Sequence, residues 1–228
     1  MSQTARVKSR TTRGEDTRQR LIKAAMEVIG ERGIAAARVD DFVQAAGCAH
    51  GTFYKYFAGK LDLIRQVMTD VYREIHEAAL SPSPYMETEE QIRLGITRLA
   101  DTLLRLRPIL RTLEGTAWID PELAVFRQSL VHGDVEELAR WTVRIERIRC
   151  PQVADPYLLA LALASMVDEM SRRWLVYEEQ ISKEAFIDTL VVVFEAVLLG
   201  KHPGRESTGL YTPLTINPAR EGSHSSSV

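Results

Sequence analysis

Between Ala49 and Phe57 the chain reads Ala-His-Gly-Thr-Phe-Tyr-Lys-Tyr-Phe, which packs an imidazole, an aliphatic hydroxyl, two phenols and an ammonium into a single short run. No carboxylate stands among them to share a proton, so the set suits hydrogen bonding to phosphates and base edges rather than bond cleavage. Phe53 and Phe57 are spaced i and i+4, which on a helix places both on one face, toward a core. His50, Thr52, Tyr54, Lys55 and Tyr56 are left for the other faces. Ala49 and Gly51 are small enough to let a helix backbone approach a duplex closely. Lys60 follows at the start of the next apolar period, and Arg38 stands just before the preceding one.

These residues need elements to hold them, and the apolar periodicity supplies helices. Over residues 17–199 apolar positions recur at helical spacing, and alternating β-branched runs are scarce, so the fold class is all-α. A first helix spans 17–30, with Gly33 after it as a stop. A second spans 39–46, with Val39, Phe42, Val43 and Ala46 on one face. Gly47 permits the left-handed turn that ends it. A third covers 49–57, and a long fourth, 60–80, repeats Leu61, Ile64, Val71 and Ile75 before Ser81-Pro-Ser-Pro84 stops it. Three short helices with a glycine turn between the second and third are the sequence form of a helix-turn-helix. In that motif the second helix braces on the backbone and the third enters the major groove, about 12 Å wide.

The pattern Ala45-Ala-Gly47, Gly51-Thr-Phe-Tyr54, Tyr56-Phe57, Lys60 and Asp62-Leu63 resembles the DNA-binding domain of the tetracycline-repressor (TetR) family of bacterial regulators. The resemblance covers residues 17–64. It implies that Thr52 contacts bases or phosphate, that Tyr54, Tyr56 and Lys60 grip phosphates, and that His50 occupies a position that is often basic. With Arg38, Gly51 and Lys55 these make the DNA-binding set. The sequence departs from the pattern in three places. Ala49 replaces a capping Ser and forgoes roughly 0.5–2 kcal/mol of helix capping. Arg38 replaces a capping hydroxyl and cannot accept a backbone N–H. Val43 replaces a habitual Ala where the second and third helices pack.

Beyond 81–84 the spacing predicts five longer helices, at 88–105, 108–118, 121–148, 156–179 and 182–199, with Pro108, Pro121 and Pro156 in first turns. The chain thus divides into a disordered basic arm (1–14), a helix-turn-helix domain with its connecting helix (15–80), a helical domain (85–200) and a disordered tail (201–228). The arm either enters a neighbouring minor groove or is a solvated tail. The family resemblance implies that the helical domain binds a ligand and dimerises through its last two helices. Residues 157–167 are apolar almost all round, as a helix buried on two sides requires, although an intramolecular core would use the same surface. Trp118, Phe126, Trp141, Met166, Met170, Trp174 and Tyr177 are candidate lining groups for a hydrophobic effector, with His76, Glu114 or Asp168 as polar anchors. Each aromatic or Met here also reads as simple core.

Charge supports the division. Residues 1–80 carry 13 Lys and Arg against 10 Asp and Glu, whereas residues 81–228 carry 16 against 21, so a formal net charge of −2 conceals a basic piece and an acidic one. Two distant cysteines, Cys48 and Cys150, indicate neither a disulfide framework nor a zinc site, and nothing calls for a cofactor. No GxSxG, Walker loop, HExxH or dinucleotide fingerprint occurs, so an enzyme is not expected. No apolar run reaches the ~20 residues a bilayer needs, and the polar start lacks a secretory h-region, so a cytoplasmic protein is expected. The resemblance implies a homodimeric repressor that leaves a pseudo-palindromic operator when an effector binds. Two alternatives share the sequence: an effector-independent architectural DNA-binding protein of the same fold, and a helical hydrophobe carrier.

Overall fold

The computed structural model describes residues 3–80, 86–114, 120–144, 155–177 and 180–201, with side chains placed from residue 14 onward except at 134 and 144. Every element among them is helical: α1 (Gln3–Ala36), α2 (Val39–Ala45), α3 (His50–Phe53), α4 (Lys60–Ala79), α5 (Thr88–Glu114), α6 (Pro121–Arg144), α7 (Pro156–Leu175) and α8 (Lys183–Leu199).

Several boundaries differ from the sequence reading. α1 begins at Gln3, so the stretch expected to be a disordered arm continues the helix. Residues 3–14 contain no proline and a single glycine, Gly14, so nothing in them breaks a helix. At its other end Gly33 adopts φ 80°, ψ 157° and interrupts the helical path, as its position after the apolar period suggests. The second difference is Pro108, which lies inside α5 rather than opening a new helix. A proline there leaves the carbonyl of Leu104 without its partner, and Leu104 is exposed, so water can satisfy it. Pro121 and Pro156 do open α6 and α7, and Asp155 caps α7 by accepting from Tyr157 N at 2.8 Å. α7 ends at Leu175 with Val176 as its C-cap, short of the expected 179. Residues 145–148, the expected end of α6, lie outside the described residues, as do 115–118, 178–179 and the tail from 202.

Two apolar cores form, and the division between them does not fall at the Ser/Pro segment. The first gathers α1–α4 around Leu21, Phe42, Phe53 and Met68, and it includes Leu106, Ile109 and Leu113 of α5 and Leu123 of α6. The second joins the first half of α5 (Ile92 to Leu103) with α6, α7 and α8. α5 therefore runs from one core into the other. Beside the first core, Thr112 Oγ1 of α5 donates to the Ile29 carbonyl of α1 at 3.3 Å.

Candidate nucleic-acid interface and cavity

The turn between α2 and α3 is built by its backbone. Gly47 sits at φ 61°, its N–H donates to Gln44 O at 3.1 Å, and Cys48 N donates to Val43 O at 3.0 Å. These paired bonds cap the last carbonyls of α2 and require a residue that tolerates the left-handed region. At the front of α2 the missing hydroxyl cap is offset from the third position: Asp41 accepts from Arg38 N at 2.8 Å and from Arg32 at 2.7 Å. Arg38 itself is exposed, with its guanidinium free of any capping role.

α3 is a single turn, shorter than the expected 49–57, followed by a looser turn in which Lys55 N, Tyr56 N and Phe57 N still donate to Thr52 O, Phe53 O and Phe53 O. No side chain caps it at Ala49, which agrees with the missing hydroxyl. Phe53 and Phe57 are buried with ring centroids 5.6 Å apart, so the inward face is the one their spacing predicted. On the outward face His50 and Tyr54 stand side by side, centroids 5.3 Å apart, and Tyr54 is 54% exposed. His50 Nε2 also lies 3.2 Å from Asp40 Oδ1 on α2, which ties the first residue of α3 to the first turn of its neighbour. A Cβ on Gly51 would meet nothing within 4 Å, so this position faces open space.

Thr52 and Tyr56 are half-buried, and Lys55 is exposed. Tyr56 packs against the first core with its hydroxyl near Gly14 of α1, 3.6 Å from where a Cβ there would stand. Lys60 Nζ lies 3.5 Å from Ala35 O at the end of α1, and partial burial lowers its pKa from the usual range. His50, Thr52, Tyr54 and Lys55 thus cluster on α3 and the turn after it, while Tyr56 and Lys60 reach toward α1.

Behind α4 lie two cavities. The larger, about 150 Å³, is lined by Ile75 and His76 of α4, Leu80 at its C-cap, Gln91, Ile92, Ile96 and Leu99 of α5, Trp141 of α6, Val167 of α7 and Phe194 of α8. Gly95 makes the α4–α5 contact here, because a Cβ on it would stand 2.6 Å from the Ala79 carbonyl oxygen. The smaller, about 120 Å³, adds Tyr72, Glu114, Arg127, Val131, Asp168, Ser171 and Arg172. In it Arg127 donates to Tyr72 Oη at 2.6 Å, to Glu114 Oε1 at 2.8 Å and to Asp168 Oδ1 at 3.1 Å. Burial pushes the Tyr72 phenol up to about 12, with Arg127 pulling it down and Glu114 and Asp168 pushing with the burial.

Of the ten lining and anchoring residues expected from the sequence, His76 and Trp141 line the larger cavity and Glu114 and Asp168 the smaller. Phe126, Met166 and Met170 pack against the cores and line neither. The reason on α7 is angular: Ala164, Val167, Asp168, Ser171, Arg172 and Leu175 share one stripe, and Trp174, Met170 and Met166 lie roughly 90–170° round from its centre. Trp174 is buried in the core instead, stacked on Phe186 with centroids 4.5 Å apart. Tyr177, past the end of α7, is 62% exposed. Trp118 lies outside the described residues. Sequence reasoning missed Tyr72, Arg127 and Arg172. The i, i+4 pair of Asp168 and Arg172 was the one local signal, and it reads equally as a solvated helix face.

Residues 21–67 match the family model described as "Bacterial regulatory proteins, tetR family". The HTH-type transcriptional regulator YvdT of Bacillus subtilis, itself uncharacterised, is 48% identical over 46 residues, 20% of this chain and 24% of the relative. The chain thus spans about a quarter of that relative's length. The HTH-type transcriptional regulator TtgR of Pseudomonas putida is 24% identical over 192 residues, 77% of this chain and 90% of the relative. Among solved structures, the transcriptional regulator FadR of Bacillus subtilis in complex with stearoyl-CoA superposes with a TM-score of 0.64 at 21% identity, covering 81% of this chain and 99% of that one.

Proposed function

We propose, for a chain that belongs to the tetR family of bacterial regulatory proteins and is a DNA-binding transcriptional regulator, that it works as a homodimeric repressor which leaves its operator when a small hydrophobic effector fills the cavities behind α4. The observation that carries this reading is the placement of α4. Its first residue, Lys60, stands beside the end of α1, its Leu63 and Ile64 share the first core with Phe53 of α3, and its second half supplies Tyr72, Ile75, His76 and Ala79 to the cavity walls, with Leu80 at its C-cap. A single rigid helix touches both sites, so a ligand that favours one tilt of α4 changes where α3 points.

His50, Gly51, Thr52, Tyr54 and Lys55 face the major groove in this reading, and Arg38, Tyr56 and Lys60 hold phosphates. Two half-sites need two recognition helices, so a second copy is required. Leu158 and Leu161 of α7 and Val192 of α8 are exposed, and a partner copy laid on those helices would cover them. It acts in the cytoplasm, where the chromosome lies. The stearoyl-CoA held by the FadR neighbour supports a hydrophobic effector here. The cavities count against an architectural protein without an effector, and the exposed polar face of α3 counts against a hydrophobe carrier.

Coupling is reciprocal: an effector that weakens operator binding is itself bound more weakly by the operator complex. The test is fluorescence anisotropy of a labelled operator, found by binding-site selection, titrated with and without a compound that raises the melting temperature of the protein. Loss of affinity at saturating compound is the expected result. A cavity ligand that left operator affinity unchanged would sink the proposal.

A further inference from the structure

Asp40 places a carboxylate beside the outward face of α3. The front of α2 needs one acid, and Asp41 fills that place: it accepts from Arg38 N at 2.8 Å and from Arg32 at 2.7 Å, and its side chain is only 21% exposed. Asp40 takes no part in that cap. Its side chain is 81% exposed, and its Oδ1 lies 3.2 Å from His50 Nε2. A carboxylate offers about four acceptor sites, of which the imidazole takes one. In a helix-turn-helix the first residues of the second helix meet the base edges, and His50 is the first residue of α3. Asp40 stands one hydrogen bond from the tip of that imidazole, so it reaches the layer that His50 reaches.

A carboxylate is repelled by phosphates, and a surface that only gripped the backbone would bind better without it. Base edges differ. In the major groove the donors are the amino groups of cytosine N4 and adenine N6, whereas guanine presents acceptors and thymine an acceptor and a methyl group. Adenine sets its N7 acceptor beside the amino group, where a carboxylate meets a second lone pair. Cytosine does not.

Resting on the reading above, in which α3 faces the major groove of each half-site, we propose that Asp40 is a specificity-determining residue. It accepts from cytosine N4 and selects a C·G pair at one position of the half-site, with His50 holding the carboxylate from the other side. The charge lowers binding to DNA at large and is matched at one amino group of the operator, so it raises the ratio between the two.

The experiment is binding-site selection with the full chain and with Asp40→Ala, Asp40→Asn and Thr52→Ala. Anisotropy titrations follow on the wild-type operator, on that operator with the C·G pair replaced, and on random DNA. The wild type should prefer the C·G pair about tenfold, the size of an ordinary mismatch. Asp40→Ala should lose the preference at that position alone and bind random DNA several-fold more tightly at low salt, because a negative charge has left the interface. Asp40→Asn should move the preference at the same position to adenine, which an amide holds at N6 and N7. A merely structural role in α2 would weaken all sites alike without moving one base. A wild-type motif with no C·G pair that responds to Asp40, affinity lost evenly across all positions, or random DNA bound no more tightly by Asp40→Ala would each overturn the inference. Thr52→Ala separates this failure from that of the reading beneath it. If Thr52→Ala shifts the motif and the Asp40 variants do not, Asp40 alone is misassigned. If none of the three moves it, α3 does not face the bases and both fall.

Discussion

Tyr72 offers a test of the buried network that needs neither operator nor effector. It is 8% exposed, its oxygen accepts from Arg127 Nε at 2.6 Å, and the guanidinium carbon stands 5.8 Å from its ring centroid. Tyr72→Phe removes one hydrogen bond to a charged group, worth about 1.5–3 kcal/mol. Arg127 retains 20% exposure, so water partly replaces the lost partner and the lower end, about 1.5 kcal/mol at pH 7, applies. The pH dependence is sharper. The phenol is held up to about 12 in the folded chain, against its ordinary value of 10.0. Being raised, it contributes stability that is complete below pH 10 and is lost as pH rises toward 12, at about 1.36 kcal/mol per pH unit, roughly 3 kcal/mol in all. Urea unfolding of both proteins from pH 7 to 11.5 isolates this group, because the other alkaline titrations are common to the pair. The wild type should lead by about 1.5 kcal/mol up to pH 9.5, and the two curves should meet near pH 11, about one unit past the onset. Parallel curves through pH 11.5, or a phenylalanine variant more stable at pH 7, would refute the network as described.

Lys60→Ala should weaken binding to every sequence and lower the salt slope of operator binding by about one ion, whereas Thr52→Ala should change which bases binding-site selection enriches. Phe53→Ala removes a fully buried ring from the first core and should cost about 3–5 kcal/mol in urea unfolding, with DNA binding lost alongside. Gly95→Ala places a methyl 2.6 Å from the Ala79 carbonyl, so α4 and α5 must part. That variant should fold with a lower melting temperature and an operator affinity altered without any change at α3, and wild-type affinity would argue against α4 as the link.

What the sequence made legible was whatever rests on short-range spacing. Phe53 and Phe57 at i and i+4 announced the inward face of α3, Gly47 announced a left-handed turn, and the apolar period of α4 announced a buried helix, as Leu63, Ile64, Val67 and Val71 are. What rests on encounters between distant residues was not legible. Arg127 meets Tyr72 across 55 positions and Asp168 across 41, and no local pattern separates an arginine held in such a network from one left in water. The continuation of α5 through Pro108 was hidden for a related reason, since burial of Leu106, Ile109 and Leu113 on either side of it outweighs one lost backbone bond. Trp174 and Tyr177 are both aromatic, and their identity alone could not say that one is stacked in a core and the other faces solvent.

The passage of α5 through both cores bears on how readily such a protein exchanges its parts. A chimera that borrowed a relative's reading head by joining at residues 81–84 would part Leu106, Ile109, Leu113 and Leu123 from the residues they pack on. Fully burying one leucine or isoleucine is worth about 1.5–3 kcal/mol, so four mismatched contacts approach the whole stability of a domain. Grafting should therefore succeed only when the second half of α5 and the first turn of α6 travel with the head, which makes the inheritable module longer than the stretch that touches DNA.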